Sequence, residues 1–448
     1  MKSSKSKLLH EVLGKSLIQR SFGLISSLSD QMVFVVGKDS KAIRDELGSD
    51  AIVFAEQASP LGTADAVRVG LEALEKSFPN TKEVFICGGD SALLRVETLK
   101  AFVQKHEQSS AVMSLISCDW PKASAYGRIK RDSSGRVEKI IEHKNANAQE
   151  EMISEINAGF YLFRLDKLKE AITQIGRNEK TGEFYLTDLV EYFSQRGDLV
   201  LCEKLSDYTE CLGINTMQEL AEARRVLNRR NCERWMSQGV AIEDPETTWI
   251  EDSVLLAPDV RIGPGVILRG QTVIESGAEI EAYCVVIDSV VSQQVCLKSF
   301  SHIDSAVIDR AAQIGPFARI RPGTKLAEGV RIGNFVETKN SQFGAHSKAN
   351  HLSYVGDSVI GDFSNIGAGT ITCNYDGFSK HQTKLGKNVF IGSNTSLVAP
   401  VELGDGAIVA AGSVITKNVS ADAMAVERSE QRNIEKAAER FRSRRKKN

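Results

Sequence analysis

No apolar run in the chain approaches the roughly 20 residues that would span a bilayer, so no membrane segment is expected. The N-terminus offers Lys2, Lys5 and Lys7 but no apolar stretch after them, so it does not look like a secretory signal, and the cytosol is the expected compartment. The eight cysteines (Cys87, Cys118, Cys202, Cys211, Cys232, Cys284, Cys296 and Cys373) form no C-x-x-C pair and no cluster with histidine. Their scatter argues against a disulfide framework and against a structural zinc site, leaving reduced, mainly buried thiols. Nor is there a surplus of either charge: the formal net charge is -2 over 448 residues, which makes no global case for nucleic acid. What remains, 42% hydrophobic and 25% charged residues, is the composition of a soluble globular protein long enough for two domains. One local concentration of charge stands out, RSEQRNIEKAAERFRSRRKKN at 428–448. It reads as a solvated terminal helix, with an RNA or anionic-surface contact as the alternative.

From about residue 15 to 215 the chain alternates helical patterns with short runs rich in β-branched residues. MVFVVG (32–37), IVFAEQ (52–57), EVFICGGD (83–90), AVMSLIS (111–117) and INAGFYLF (156–163) predict strands. Helical stretches such as TADAVRVGLEALEK between them predict a βαβα order and a mostly parallel sheet. Ligands bind such folds where strand ends meet the following loops, which singles out GGD at 88–90 and the loop before Thr63. NTMQELAEARRVLNRRNCERWMSQGV, 215–240, has helical spacing and a basic face and reads as a connecting helix.

Beyond it the apolar period becomes six. Ile262, Leu268, Ile274, Ile280 and Val286 set a register that returns at Ile314, Ile320, Leu326 and Ile332, and again from Ile391 to Ile415. Neither an amphipathic helix nor an alternating strand has this period. A parallel β-helix does, with each hexad one side of a triangular coil and about nine or ten coils between 250 and 420. The register slips between Val286 and Ile314, between Ile332 and Ile360, and between Ile366 and Ile391, and each slip predicts a loop or bulge. The last two slips are dense in His, Lys, Asn and Tyr.

His351, in NHLSY, is a candidate general base, since imidazole titrates near neutrality; a structural histidine is the competing reading. Arg321, Lys339 and Lys380 lie on or beside coil loops and suit a phosphate, and Asn365, Asn374 and Tyr375 can bond sugar hydroxyls. A base beside a phosphosugar site points to proton removal from a sugar hydroxyl or amine before it attacks an electrophile.

RPGTKLAEGVRIGNFVETKNS, HLSYVGDSVIGDFSNIGAGTITCNYDG and VAPVELGDGAIVAAGSVITKNV, in that order, resemble the bacterial bifunctional N-acetylglucosamine-1-phosphate uridyltransferase and glucosamine-1-phosphate acetyltransferase family, a likeness that extends over essentially the whole chain. The resemblance implies an N-terminal Rossmann-like nucleotidyltransferase domain (1–217), a linker helix (218–238) and a C-terminal left-handed parallel β-helix of hexapeptide repeats (239–448). It further implies a homotrimer with acetyl-CoA bound between neighbouring solenoids, in an enzyme of UDP-N-acetylglucosamine synthesis. By matching motifs, His351 is the base that frees the glucosamine amine. Arg321, Lys339, Tyr354, Asn365 and Lys380 fall on the glucosamine-1-phosphate positions. Ala368, Asn374, Tyr375, Ser393, Ala411 and Arg428 fall on the acetyl-CoA positions, which reassigns Asn374 and Tyr375 and favours a cofactor contact over nucleic acid for the start of the basic tail. In the N-terminal half, Gln57, Gly62 and Thr63 of QASPLGTADA match the uracil-reading turn of the UTP site. Lys7 matches a phosphate-facing lysine, Asp90 and Asn215 the magnesium pair, and Gly127, Glu142 and Asn157 the sugar contacts.

This half departs from the family pattern in places. GGDSA puts Gly88 and Ala92 where the family has an aromatic and a proline, and Lys5 and Ser6 replace the first two residues of Leu-Pro-Lys. Met1-Lys2-Ser3-Ser4 aligns with the end of the family's glycine-rich loop, so the first strand and most of that loop are expected to be missing, leaving an apolar slot in the sheet. A start codon assigned too far downstream is one explanation, and an acetyltransferase with an inactive first domain is the other. Two rival functions stand beside the resemblance. One is an ADP-glucose type of nucleotidyltransferase whose solenoid only regulates. The other is a non-catalytic trimeric scaffold whose basic tail binds RNA or an anionic surface.

Overall fold

The computed structural model describes residues 1–37, 40–48, 52–121 and 125–445, so the last three residues of the basic tail lie outside the described residues. The chain divides into two compact units, Met1–Leu227 and Asn228–Asn448.

In the first unit, besides a hairpin of the two-residue strands Glu11–Val12 and Lys15–Ser16, the strands are β1 (Val33–Val36), β2 (Val53–Glu56), β3 (Glu83–Ile86), β4 (Met113–Asp119), β5 (Arg128–Arg131), β6 (Val137–Ile141), β7 (Glu155–Arg164) and β8 (Val200–Leu205). The five strands expected from the sequence are there within a few residues. The expectation of a mostly parallel sheet fails: β1–β2 and β4–β8 pair in parallel, but β7 runs antiparallel to β3, β4 and β5. The cause is the β5–β6 hairpin, which brings the chain back so that β7 re-enters in the reverse direction. The helices α1 (Leu17–Ser26) and α2 (Thr63–Ser77) flank the strands. At the start of α1, the Ser16 side chain accepts from Gln19 N at 3.2 Å and the Gln19 side chain accepts from Ser16 N at 3.0 Å, a reciprocal capping box.

The expected apolar slot is present. One edge of β1 is taken by β2 and one edge of β3 by β7, and among the described residues no strand lies between β1 and β3. A cavity of about 870 Å³ is lined by all four residues of each, Val33–Val36 and Glu83–Ile86. Successive strand residues point to opposite faces, so a cavity touching all of them lies against the strands' open edges. Ile18, Ile25 and Leu28 of α1 and its following turn, with Val67 and Leu71 of α2, complete an apolar lining.

The second unit is a left-handed parallel β-helix made of three parallel sheets with 11, 10 and 9 strands, in which a strand pairs with the third one after it until the last pair, where Ile408–Val409 pairs with Met424–Ala425. That makes nine complete coils and a partial turn, within the range read from the hexads. The hexad residues fill the interior, and Ile262, Leu268, Ile274, Ile280 and Val286 are all fully buried. The slips have two different causes. Ile280 pairs with Leu297, Leu297 with Ile314, Ile332 with Ala349 and Ala349 with Ile366. These are 17-residue coils in which one corner is a residue shorter, so the loops expected in the first two intervals are absent. The shortened corner turns on a single residue with positive φ, namely Asp288, Ser305, Asn340 or Asp357. Only Ile366 to Ile391 contains a true excursion, the segment 374–381. At another corner Tyr283, Phe300, Phe317 and Phe335 stack ring on ring at 5.1–5.4 Å between centroids.

Helix α3 (Met217–Ser237) contains the boundary between the units. Its Leu220 and Ala223 pack with Val12, Leu17 and Ile214 of the first unit. In the second unit Asn228 and Asn231 donate to the carbonyls of Thr248 and Ile250 at 2.7 and 3.1 Å, covering backbone groups that the first coil would otherwise leave open. The basic C-terminal helix, Ala437–Arg445, buries nothing. No helix of the described residues is long and apolar enough to cross a membrane, and all eight cysteines are free thiols.

Candidate functional sites

In the first unit the candidate residues gather around the 870 Å³ cavity: Thr63, Asp90, Gly127, Glu142, Asn157 and Asn215 line it. The turn before α2 depends on Gly62, whose φ is +112° and where a Cβ would strike the Phe184 backbone. Thr63 Oγ1 accepts from Leu186 N at 2.9 Å, and Gln57 Nε2 donates to Asp65 at 2.7 Å, so the turn and the candidate base-reading amide are held in place. Glu142 accepts from the Thr187 hydroxyl at 2.7 Å, and Asn157 donates to the Tyr161 hydroxyl at 2.6 Å. Burial pushes the Tyr161 phenol well above its usual range, so it stays protonated.

Asp90 and Asn215 converge, and what lies between them is Lys7. Its ammonium donates to Asp90 Oδ2 at 2.6 Å and to Asn215 Oδ1 at 2.9 Å. Two hard oxygens aimed at one cation fit a magnesium ion that keeps most of its waters. No group of three or more His, Cys, Asp or Glu side chains suited to a metal occurs among the described residues, so any metal here rests on this pair together with a substrate's own oxygens. Close by, the Tyr126 hydroxyl accepts from Gly213 N at 2.6 Å, and burial raises that phenol to about 12.

In the solenoid, His351 ends the strand Lys348–His351 at an exposed corner. The next residues lead into the sheet carrying Tyr354, which pairs with Glu337, while Glu337 accepts from Arg321 at 2.7 Å. Lys339 is on the same strand as Glu337. Its ammonium lies against that of Lys380, and this like-charge contact holds Lys380 below the usual lysine range. The sheet that follows His351 therefore carries, on or against it, two crowded ammonium groups and a guanidinium, an arrangement suited to a phosphorylated substrate. Asn365 stands on the same sheet as His351, one coil above Lys348. Asn374 is buried and donates to Asp357 Oδ2 at 2.5 Å, whereas Tyr375 is exposed and its hydroxyl donates to the Gly377 carbonyl at 2.6 Å.

Ala368, Ser393 and Ala411 occupy one column on successive coils. Asn394 N donates to the Ala368 carbonyl at 2.7 Å, Gly412 N to the Ser393 carbonyl at 2.8 Å, and the Arg428 guanidinium to the Ala411 carbonyl at 2.7 Å. The coils approach closely at Gly367 and Gly392, where a Cβ would meet the backbone of the next coil.

The sequence reading missed the residues that hold these groups. Asn334 bonds His351 Nδ1 at 3.0 Å, Glu337 bonds Arg321, and Asp357 bonds both Asn340 and Asn374. In the excursion loop His381 Nε2 is 2.7 Å from Asp376, whose carboxylate also accepts from the backbone of Phe378 and Ser379. The signal available in the sequence was the coil length, since each partner on the coils stands 16 or 17 residues from the residue it holds.

A nucleotidyl transferase family matches residues 2–236 and a hexapeptide repeat of succinyl-transferase matches residues 382–417. The chain is similar to the bifunctional protein GlmU of Heliobacterium modesticaldum, 42% identical over 96% of this chain and 93% of that protein. It is likewise similar to the bifunctional protein GlmU of Streptococcus agalactiae, 40% identical over 97% of this chain and 94% of that protein. A solved UDP-N-acetylglucosamine acyltransferase of Francisella novicida is 15% identical over 42% of this chain and 66% of that one, with a TM-score of 0.30, too distant to argue from. A transferase fold of each kind in one chain, and relatives at about 40% identity over nearly their full length, make this chain a member of the GlmU family of bifunctional proteins.

Proposed function

We propose that the chain makes UDP-N-acetylglucosamine in two transfers, acetyl from acetyl-CoA to glucosamine-1-phosphate, then uridylyl from UTP to the product with release of pyrophosphate. The observation that carries the first step is an exposed His351, held at Nδ1 by Asn334, with Arg321, Lys339 and Lys380 on or against the sheet that follows it. The cations bind the sugar phosphate. His351 Nε2 takes a proton from the glucosamine ammonium, the freed amine attacks the thioester carbonyl, and the C–S bond breaks with the electron pair leaving on coenzyme A sulfur. The column of Ala368, Ser393 and Ala411, with Arg428 at its end, would receive the acetyl-CoA arm together with Asn374 and Tyr375, completed by a neighbouring solenoid of a homotrimer.

For the second step, Gln57 and the turn at Gly62 and Thr63 face uracil, Gly127, Glu142 and Asn157 face the sugar, and Lys7 faces the triphosphate. Asp90 and Asn215 would hold magnesium, which neutralises phosphate charge when bound. The open slot beside β1 favours a second reading, in which this chain acetylates but does not transfer uridylyl. Both readings assume a cytoplasmic enzyme, where these substrates are available.

The test measures coenzyme A release from acetyl-CoA plus glucosamine-1-phosphate, and pyrophosphate release from UTP plus N-acetylglucosamine-1-phosphate, on the same preparation. His351→Ala is expected to lower the first by about 10²- to 10⁴-fold and to leave the second and the oligomeric mass unchanged. Near-full acetylation by that variant removes His351 from its role. Acetylation without any pyrophosphate release selects the second reading.

A further inference from the structure

We propose that Asn334 is the positioning residue of the acetyl transfer, holding His351 in the tautomer whose Nε2 is free to accept a proton. The inference rests on the acetyltransferase reading above and adds a residue that carries no assigned role in it. Asn334 ends the strand Arg331–Asn334, one coil below His351, and the two are paired in the parallel register of adjacent coils. The Asn334 Oδ1 atom stands 3.0 Å from His351 Nδ1. A carboxamide oxygen can only accept, so the proton of this bond belongs to Nδ1, and in a neutral imidazole the lone pair is then on Nε2.

The main chain fixes the same pair. Leu352 N donates to the Asn334 carbonyl at 3.1 Å, and the His351 carbonyl accepts from Ser353 Oγ at 2.8 Å. Ring and amide therefore meet without a long, mobile linkage between them. The charged side chains of the two paired strands, Arg331 and Lys348, both lie three residues earlier. On the strand above, the residue paired with Lys348 is Asn365, and on the adjoining sheet the nearest titratable group in sequence is Tyr354. Among the described residues, the bond made by the ring is to the Asn334 amide and not to a carboxylate. This choice of partner has a chemical consequence. A carboxylate at Nδ1 would stabilise the imidazolium and slow release of the proton it had taken, whereas a neutral amide orients the ring while leaving proton return easy.

The experiment uses the full chain with ¹⁵N in its histidine rings, the His351 signals being assigned by their loss in His351→Ala. The expected result is the Nδ1–H tautomer for neutral His351, a preference that Asn334→Ala abolishes. In coenzyme A release, Asn334→Ala is expected to lower kcat by about 10- to 100-fold with KM for both substrates little changed. Asn334→Asp keeps an acceptor at Nδ1, so it is expected to retain most of kcat and to move the acidic limb of the kcat/KM profile to higher pH. An Nε2–H tautomer in the unsubstituted chain overturns the proposal, and so does a kcat within twofold of normal in Asn334→Ala. If the unsubstituted chain releases no coenzyme A, the acetyltransferase reading fails, while the tautomer measurement still decides what Asn334 does to the ring.

Discussion

Lys7 stands where a metal would have to enter. The two oxygens it bonds, on Asp90 and Asn215, are those proposed to hold magnesium, so without nucleotide the ammonium and the metal compete for one place. The side chains of Lys7 and Asp90 are 34% and 23% exposed. Sheltered charge-assisted bonds contribute roughly 1.5–3 kcal/mol each, and with this exposure about 1–2 kcal/mol for the two together is the reasonable figure. Lys7→Met removes the competing charge and keeps an apolar stem of similar length. At about 1.4 kcal/mol per decade, the variant should bind magnesium about 5- to 30-fold more tightly when nucleotide is absent. Calorimetric titration of magnesium into the full chain, with Asp90→Asn as the control that loses the site, measures this directly. An affinity unchanged or weakened by Lys7→Met would refute the competition. The same substitution should lower uridylyl transfer wherever the chain supports it, because a triphosphate loses its cation.

His106 is fully buried with its Nδ1 2.6 Å from Ser114 Oγ, and burial holds its ring below the usual histidine range. The unfolded chain binds a proton near pH 6.5 and the folded chain only at lower pH. Stability of the first unit is therefore full above about pH 6.5 and falls on acidification, by at most about 1.4 kcal/mol per pH unit from this group; urea midpoints of the unsubstituted chain and His106→Gln should show that slope flattened in the variant. Amides on the open edges of β1 and β3 should exchange with solvent far faster than those of β4, which is paired on both sides. Equal protection across the three strands, by hydrogen exchange, would mean that the slot between β1 and β3 is closed in solution.

Much of this fold is legible in the sequence, for a physical reason. The hexads of Ile262 to Val286 report burial residue by residue, because each coil has only one interior and three sides. The apolar runs at 33–36, 53–56 and 113–119 likewise report strands, buried through Cys118 in the last and mostly half-buried in the first two. The direction of β7 is not legible, since it depends on where the β5–β6 hairpin returns the chain and not on any property of INAGFYLF. The 17-residue coils were misread as loops because one corner residue removed at Asp288 or Asn340 shifts the apolar period as an insertion does. At the sites, Lys339, Lys380 and His351 are recognisable by residue type. Asn334, Glu337 and Asp357 are ordinary surface residues until the coil pitch sets them beside the groups they hold.

That pitch gives the solenoid a phase, much as codons have a frame. A residue added inside one side of a coil would rotate every later position off its column, separating His351 from Asn334 or Ala411 from Ser393. Residues added at a corner leave the columns above in step. The excursion at 374–381 shows the permitted kind of change: Ile366 still pairs with Ile391 although the coil between them is seven residues longer than an 18-residue turn such as Ile391 to Val409. Divergence in length among relatives of this solenoid is accordingly expected in whole coils or at corners, and Tyr375 and Lys380 lie on a segment that can be lengthened without disturbing the coils that frame it.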